Sequence, residues 1–341
     1  MDPVVACQRM GMLADATDPD RIGSSLTNLA SVILPCLRAI EARMVVEVGA
    51  SHGDFTRELL TWAAEADTRV TAIEPSPAPE LVSLAESDPR LELVRETSRE
   101  ALPRLANAGA FIVDGDHNYY TVSQDLRLIV DRAPGERMPL VMLHDMGWPH
   151  GRRDAYYDPQ AIPAEDRQPL AHNAYLDPEN PGVADGGFLV EWAAKREGGE
   201  RNGVLTAVED LVGEGDDLRL VVVPAFFGLG VMWHRDAPWA EAVGQIVEPW
   251  DRNPLLERLE ANRSLKMAEW ARAFQRLQWS DEQLRREHEQ RARQEQLLRR
   301  MLASRAFAWG ERLSRLRRGG QPSFSRDDVR RAIGEETDDP V

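Results

Sequence analysis

The sequence predicts an α/β protein: an open, mostly parallel sheet with helices on both faces, ending in an antiparallel strand pair and followed by a helical extension. Three observations carry this. Short apolar runs at 44–48, 70–73, 91–94, 110–114 and 140–144 alternate with helical patterns, the spacing of βαβ units. These runs are near-continuously apolar, as strands covered on both faces are. Two later runs, 218–223 and 228–234, are joined only by residues 224–227, too short a link for a crossover helix, so that pair is antiparallel.

Taken in order, 44–48 (MVVEV) is the first strand, and Gly49 and Gly53 mark a tight turn after it. Residues 54–66 (DFTRELLTWAAEA) have helical periodicity, with Asp54 at the positive N-terminal end. Strands two and three follow as VTAI and LELV. The fourth run, AFIVD, and the fifth, LVMLH, finish on side chains that carry chemistry. Residues 149–187, rich in Pro, Asp and Tyr, read as a loop long enough to be a functional lid. Residues 203–212 read as a helix. From Leu255 the chain turns polar and helical, with Leu256, Leu259, Met267, Trp270, Phe274 and Leu277 at three- and four-residue steps and a break near Arg263. Residues 280–296 are almost wholly polar, and Leu298, Leu302, Ala306, Trp309, Leu313 and Leu316 form a second stripe flanked by arginines. The expected organisation is a folded domain over 1–250, an amphipathic, coiled-coil-like extension over 251–318, and an acidic tail over 319–341 expected to be disordered.

The formal net charge of −16 hides an asymmetry, because residues 251–318 hold 17 Lys and Arg against 10 Asp and Glu. An acidic body carrying a basic arm is a poor nucleic-acid surface, since phosphate contacts need a basic face. Cys7 and Cys36 lack metal-ligand or redox spacing, which fits a reducing compartment. With no secretory pattern at the N-terminus, and no apolar stretch reaching the roughly 20 residues that span a bilayer, a cytoplasmic location is expected.

The turn in "VVEVGASHGDF" (45–55) is a place to hold a nucleotide-like ligand. A dinucleotide fingerprint needs glycines two and five residues after the first; Ser51 and Asp54 stand there instead. A phosphate-binding Gly-Lys-Ser/Thr loop is excluded too, because Lys195 and Lys266 are the chain's two lysines and neither follows a glycine. Glu47, Gly49 and Gly53 instead resemble motif I, E-x-G-x-x-x-G, of the class I S-adenosylmethionine-dependent methyltransferases. Glycines let backbone approach a ligand, and an acid at a strand end suits that cofactor's cationic methionine moiety. Glu74 ends the next strand in "VTAIEPS", where a carboxylate can accept both ribose hydroxyls. The resemblance implies a Rossmann-like class I methyltransferase sheet with S-adenosyl-L-methionine as cofactor. It assigns Glu47 to the methionine moiety and Glu74 to the ribose, with Gly49, Ser51 and Gly53 in the turn. Residues 96–98, Ser98 among them, go to the adenine, and Asp114 to the cofactor wall.

"FIVDGDHNYYTVSQDL" (111–126) sets Asp114, Asp116 and His117 at the end of the fourth strand, and "VMLHDMGWP" (141–149) sets His144 and Asp145 at the end of the fifth. Carboxylates from neighbouring strand ends can converge on one hard cation. Both segments resemble a D-G-D-H and H-D group similar to sugar and natural-product O-methyltransferases. Carried over from catechol-type relatives, Asp114 takes a metal position and His117 a general-base position, with Asp116 and His144 beside it in the catalytic set. The pair His144–Asp145 would complete a site for Mg2+ or another divalent metal. Two departures matter. A His where the family has Lys is a base whose unperturbed pKa of about 6.5 suits neutral pH. A His among the ligands would favour a softer ion than magnesium. The alternative is that Asp114 and Asp116 cap the following helix and His117 is a surface side chain. His150 is a second candidate base, and Arg152, Arg153, Tyr156 and Tyr157 either clasp a phosphorylated or glycosylated acceptor or order a loop.

The function implied is O-methylation of a hydroxyl on a sugar, cell-surface glycan or glycosylated natural product, with a divalent metal as a candidate aid. Two rivals are a protein resembling cephalosporin hydroxylase on the same fold, and a non-catalytic scaffold. "LLRRMLASRAFAWGERLSRLRR" (297–318) resembles segments at the ends of bacterial cell-surface polysaccharide enzymes. Its pattern is that of an interfacial helix contacting the inner membrane surface, or of an oligomerising helix that pairs copies of the chain.

Overall fold

A computed structural model describes residues 25–105, 108–133, 135–318 and 326–333. The strands are β1 (Met44–Val48), β2 (Arg69–Ile73), β3 (Leu91–Val94), β4 (Ala110–Val113), β5 (Leu140–Leu143), β6 (Leu170–Asp177), β7 (Asn180–Ala184), β8 (Phe188–Ala194), β9 (Leu218–Val223) and β10 (Leu229–His234). The helices are α1 (Ala30–Ala39), α2 (Asp54–Ala66), α3 (Pro79–Ser87), α4 (Ser98–Ala101), α5 (Tyr119–Val130), α6 (Val204–Gly213), α7 (Ala240–Val247), α8 (Pro254–Ala303), α9 (Arg305–Arg318) and α10 (Arg326–Ala332).

Seven strands form one sheet in the order β3-β2-β1-β4-β5-β10-β9. β1 to β5 run parallel, while β10 is antiparallel to both β5 and β9. This is the Rossmann-like sheet with an antiparallel closing pair that the strand spacing predicts. Successive residues serve opposite faces: Val45 packs in the core that holds Leu59 and Trp62 of α2, whereas Val46 and Val48 pack in the core that holds Val122 and Leu126 of α5. The strand order reverses at β1, which pairs with β2 on one side and β4 on the other. In open α/β sheets that reversal opens a crevice at the carboxyl ends of the strands, and it is where ligands bind.

The segment read as a loop, 149–187, is in large part structured. β6, β7 and β8 make a separate three-stranded antiparallel sheet in the order β7-β6-β8. Its sequence hides this: Asn173 takes a positive φ, the β6–β7 register shifts between Tyr175 and Asp177, and Pro181 and Gly182 sit in β7. Proline is tolerated there because β7 is an edge strand. Behind the sheet only Ala174, Leu176 and Ala193 form a buried cluster, with Trp148, Phe188 and Val190 against it, so polar contacts do much of the anchoring. The fully buried Arg153 donates to the carbonyls of Ala194 and Pro181, both at 2.8 Å, and Arg272 of α8 pairs with Asp177.

The chain forms two compact units, Met1–Ala273 and Phe274–Val341, which divide inside α8. α8 is one helix of 50 residues and runs on through the break in its apolar stripe near Arg263. Its polar middle is carried by exposed i,i+4 pairs, Glu282–Arg286, Glu289–Arg293 and Glu295–Arg299. In α9, Trp309 and Leu313 are exposed. Residues 326–332, inside the stretch expected to be disordered, are the helix α10; residues 319–325 and 334–341, like Cys7, lie outside the described residues. Among the described residues no helix is long and apolar enough to cross a membrane.

Candidate active site

One cavity of about 870 Å³ lies against the ends of β1, β2, β4 and β5, and residues of the 149–162 segment, Phe188 and Phe227 complete its wall. At the first turn Gly49 and Gly53 both have positive φ, at 87° and 81°. Gly49 N–H donates to Ile73 O at 2.9 Å, drawing the tips of β1 and β2 together. Glu74, at the end of β2, is fixed by two backbone amides: Ser51 N–H donates to Oε2 and Ser76 N–H to Oε1, each at 3.0 Å. Gly49, Ser51, Glu74, Ser98 and Asp114 all line the cavity, as the sequence reading expects of cofactor contacts. Gly53 is not on the wall; it serves as the left-handed residue that starts α2.

Glu47 is placed differently from that reading. It is 2 % exposed, is not part of the wall, and accepts the Thr56 hydroxyl of α2 at 2.6 Å. Burial pushes its carboxyl up to about 8, with the Thr56 bond pulling the other way. Sequence spacing put this acid at a strand end but could not say which face of the tip it occupies. A buried carboxyl raised from 4.5 to about 8 contributes stability that is complete below pH 4.5 and is lost as the pH rises through 8. Chemical denaturation of wild type is therefore expected to show stability declining from about pH 5 to pH 8. Glu47→Gln, which keeps an acceptor for Thr56, is expected to flatten that decline. An equal slope in both proteins counts against a buried, protonated Glu47.

At the other end of the cavity the tips of β4 and β5 meet. Asp114, His144 and Asp145 bring one ligand atom each to within 4.8 Å of one another. His144 donates from Nε2 to the carbonyl of Phe226 at 2.8 Å, which turns its Nδ1 toward Asp114 Oδ1 at 3.2 Å and Asp145 Oδ2 at 3.5 Å. His117 Nε2 lies 2.9 Å from Asp145 Oδ2 and 3.4 Å from Asp114 Oδ1. The titration of the cluster follows from this geometry. Burial alone would lower both imidazoles, yet the two carboxylates outweigh it, raising His144 to about 9 and His117 well above its usual value. In return, although burial works to raise them, the histidines hold Asp114 and Asp145 below the usual carboxylate range. Two anions and two cations thus balance.

This arrangement bears on the base. The sequence reading of His117 as general base supposes a free imidazole near its ordinary pKa, whereas here both carboxylates hold it in the protonated form. His150 differs. It lines the same cavity, is 8 % exposed, stacks on His117 at 5.0 Å, and has no hydrogen-bond partner at Nδ1. Burial depresses it to about 4, so it is neutral at physiological pH.

Asp116, assigned to the catalytic set by sequence, faces the cavity but acts as a brace: it accepts from Asn118 Nδ2 at 2.5 Å, Thr121 Oγ1 at 3.1 Å and Tyr157 N–H at 3.3 Å. The arginines expected near the acceptor are committed elsewhere. Arg152 pairs with Glu209 at 2.6 Å, Arg153 is buried on backbone carbonyls, and Tyr156 donates its hydroxyl to Asp154 at 2.7 Å; of the four residues proposed as a clasp, Tyr157 alone is on the wall. Among the described residues lining the cavity, Arg99 is the one Arg or Lys, beside Thr97 and Ser98. Sequence reasoning missed Asp154, whose Oδ1 accepts Tyr119 N–H at 2.8 Å and Gly203 N–H at 2.6 Å, tying the start of α5 to the start of α6. No local pattern marks it, because its partners are 35 and 49 residues away.

Residues 46–146 match the protein family described as "Methyltransferase domain". The chain is also similar, at low identity, to many solved structures, two of which follow. One is an S-adenosylhomocysteine-bound methyltransferase, PaMTH1, of Podospora anserina: 13% identity over 69% of this chain and 89% of that one, TM-score 0.41. The other is cofactor-bound Rv0187 from MTB: 18% identity over 69% of this chain and 91% of that one, TM-score 0.37. None of the curated proteins matches the sequence.

Proposed function

We propose that this chain, whose residues 46–146 match a methyltransferase domain, is a class I S-adenosylmethionine-dependent methyltransferase that methylates a hydroxyl oxygen of an uncharged, sugar-like acceptor. The observation that carries this reading is the shared cavity. Glu74, suited to the cofactor's ribose, and the Asp114, His117, His144, Asp145 and His150 cluster, suited to proton handling, line the same space. Cofactor end and acceptor end are therefore contiguous, as in-line transfer from a sulfonium requires.

The acceptor end narrows the substrate. Tyr157, Phe188 and Phe227 offer ring faces, which stack on sugar or aromatic rings. Arg152 and Arg153 are turned to Glu209 and to backbone carbonyls, and Arg99, the one arginine among the described residues lining the cavity, stands beside Ser98 rather than among the acceptor-end rings. That argues for a neutral acceptor, and a glycan or glycosylated natural product fits it.

Asp114, His144 and Asp145 also fit a divalent cation, which would take the place of the His144 Nδ1 proton: they present one nitrogen and two carboxylates, and the His144 ring is already oriented by a carbonyl bonded to its far nitrogen, as ligating histidines are. A mixed nitrogen and oxygen set suits a borderline ion better than magnesium. Such an ion, when bound, would acidify and orient an acceptor hydroxyl. The chain's own groups then act as follows. His150, the neutral imidazole on the cavity wall, receives the hydroxyl proton, the ring of His117 stacks on it, and Asp145 holds His117 in place. Tyr157, Phe188 and Phe227 line the acceptor end.

Two measurements test the reading. Incubation with S-adenosylmethionine and a neutral glycan fraction is expected to give a product heavier by one CH2; a gain of one oxygen would establish the hydroxylase-like rival instead. Calorimetry on Glu74→Ala is expected to show a roughly 100-fold loss of S-adenosylmethionine affinity, about 3 kcal/mol, the scale of hydrogen bonds to a charged acceptor. Undiminished binding would remove Glu74 from the cofactor site.

A further inference from the structure

The link between β9 and β10 contains a turn in an unusual conformation. Phe226, Phe227 and Gly228 all have positive φ, at 52°, 68° and 91°, and two of the three are not glycine. L-residues avoid this region, so such a turn persists only where its surroundings hold it. It is interlocked with the residues after β5. Gly147 N–H donates to Phe227 O at 2.5 Å and Met146 N–H to Gly228 O at 3.3 Å, and a Cβ on Gly147 would lie 2.8 Å from Phe227 O. The Phe226 carbonyl accepts from His144 Nε2, and Phe227 lines the cavity. The turn is thus the backing of the imidazole and part of the acceptor wall.

The outward side of the turn is held by α8. Glu260 accepts the N–H groups of Phe226 at 3.1 Å and Phe227 at 2.9 Å, one on each carboxylate oxygen. Arg263, one helical turn on, donates to both oxygens at 2.7 and 2.6 Å. The same guanidinium lies over the Phe227 ring at 4.4 Å and the Phe226 ring at 5.7 Å. Two successive amides pointing the same way form a small anion-binding concavity, and Glu260 fills it.

We infer that Glu260 is a positioning residue of the active site: through the turn at 226–228 it holds the His144 imidazole and the Phe227 wall, and Arg263 locks it in place. The helix that follows the catalytic sheet is then a working part of the site. The hydrogen bonds of Glu260 go to Phe226, Phe227 and Arg263, none of which belongs to the β1 and β2 tips that build the cofactor end.

The experiment uses the full chain and needs no acceptor. Histidine-labelled protein is expected to show a slowly exchanging Nε2–H resonance for His144, assigned by its loss in His144→Gln. In Glu260→Ala its exchange should accelerate by at least about 10-fold, as local opening of the turn exposes the N–H. Affinity for S-adenosylhomocysteine, read by calorimetry, should stay within about 2-fold of wild type, because a local effect should not reach distant contacts. Glu260→Gln, with one acceptor oxygen left, should recover part of the protection. An unchanged resonance in folded Glu260→Ala overturns the inference, as does cofactor affinity that falls in step with protection. If Glu260→Ala does not fold, Glu260→Gln and Arg263→Met decide: protection reduced in both supports the role, and wild-type protection in both refutes it.

Discussion

Replacing His150 with alanine is expected to lower kcat roughly 10²- to 10⁴-fold, the range a positioned general base supplies, while S-adenosylmethionine affinity stays unchanged. The expectation rests on a contrast between two stacked imidazoles. His117 Nε2 is 2.9 Å from Asp145 and is held protonated, so it has no lone pair to offer. His150, which burial keeps neutral and which lines the cavity, does. The measurement is transfer of labelled methyl groups from S-adenosylmethionine to the acceptor, with cofactor binding followed by calorimetry. His117→Ala should behave differently, chiefly lowering thermal stability, because it leaves Asp145 short of a cation in a buried site. Should His150→Ala turn over at the wild-type rate while His117→Ala is dead, the roles assigned to the two rings are reversed.

The second large effect is at Gly49. A Cβ there would stand 2.0 Å from Asp114 O and 2.5 Å from Asp114 C, with φ at 87°. Both obstacles are backbone, so no side-chain rotation relieves them, and the tips of β1 and β4 would have to separate. Gly49→Ala is expected to cost several kcal/mol, which for a unit of this size means a melting temperature lower by about 10 °C. Binding of S-adenosylhomocysteine should be lost with it. Gly53→Ala provides the internal control. Its φ is also positive, but the nearest atom to a new Cβ is Leu81 Cδ1 at 3.2 Å, a flexible side-chain end. Its loss should be confined to about 1–2 kcal/mol of left-handed strain. Equal melting temperatures for the two variants would show that the approach of the β1 and β4 tips does not constrain the fold.

Much of the fold was legible because it depends on local period and link length. Apolar runs without alternation marked buried parallel strands, and the short link before Gly228 left antiparallel pairing as the one option. The β6–β8 sheet was not legible. Its strands carry half-exposed side chains and turn-forming residues, and what anchors it is a buried Arg153 whose carbonyl partners lie 28 and 41 residues away. In the site, the strand-end positions of Glu74, Asp114, His144 and Asp145 followed from the pattern of strand and turn, and all four line the cavity.

What the sequence determined by itself is therefore the list of chemical groups at strand ends, since a strand's length and period fix where its tip falls. What tertiary structure decided is the state of those groups. Glu47 and Glu74 end adjacent strands, yet one is sealed against Thr56 and the other faces the cavity. His117 and His150 are both imidazoles, yet carboxylates engage one and burial neutralises the other. Charge state and orientation depend on distance, burial and partners drawn from remote segments, Glu260 among them, and none of these is encoded in the spacing of residues along the chain.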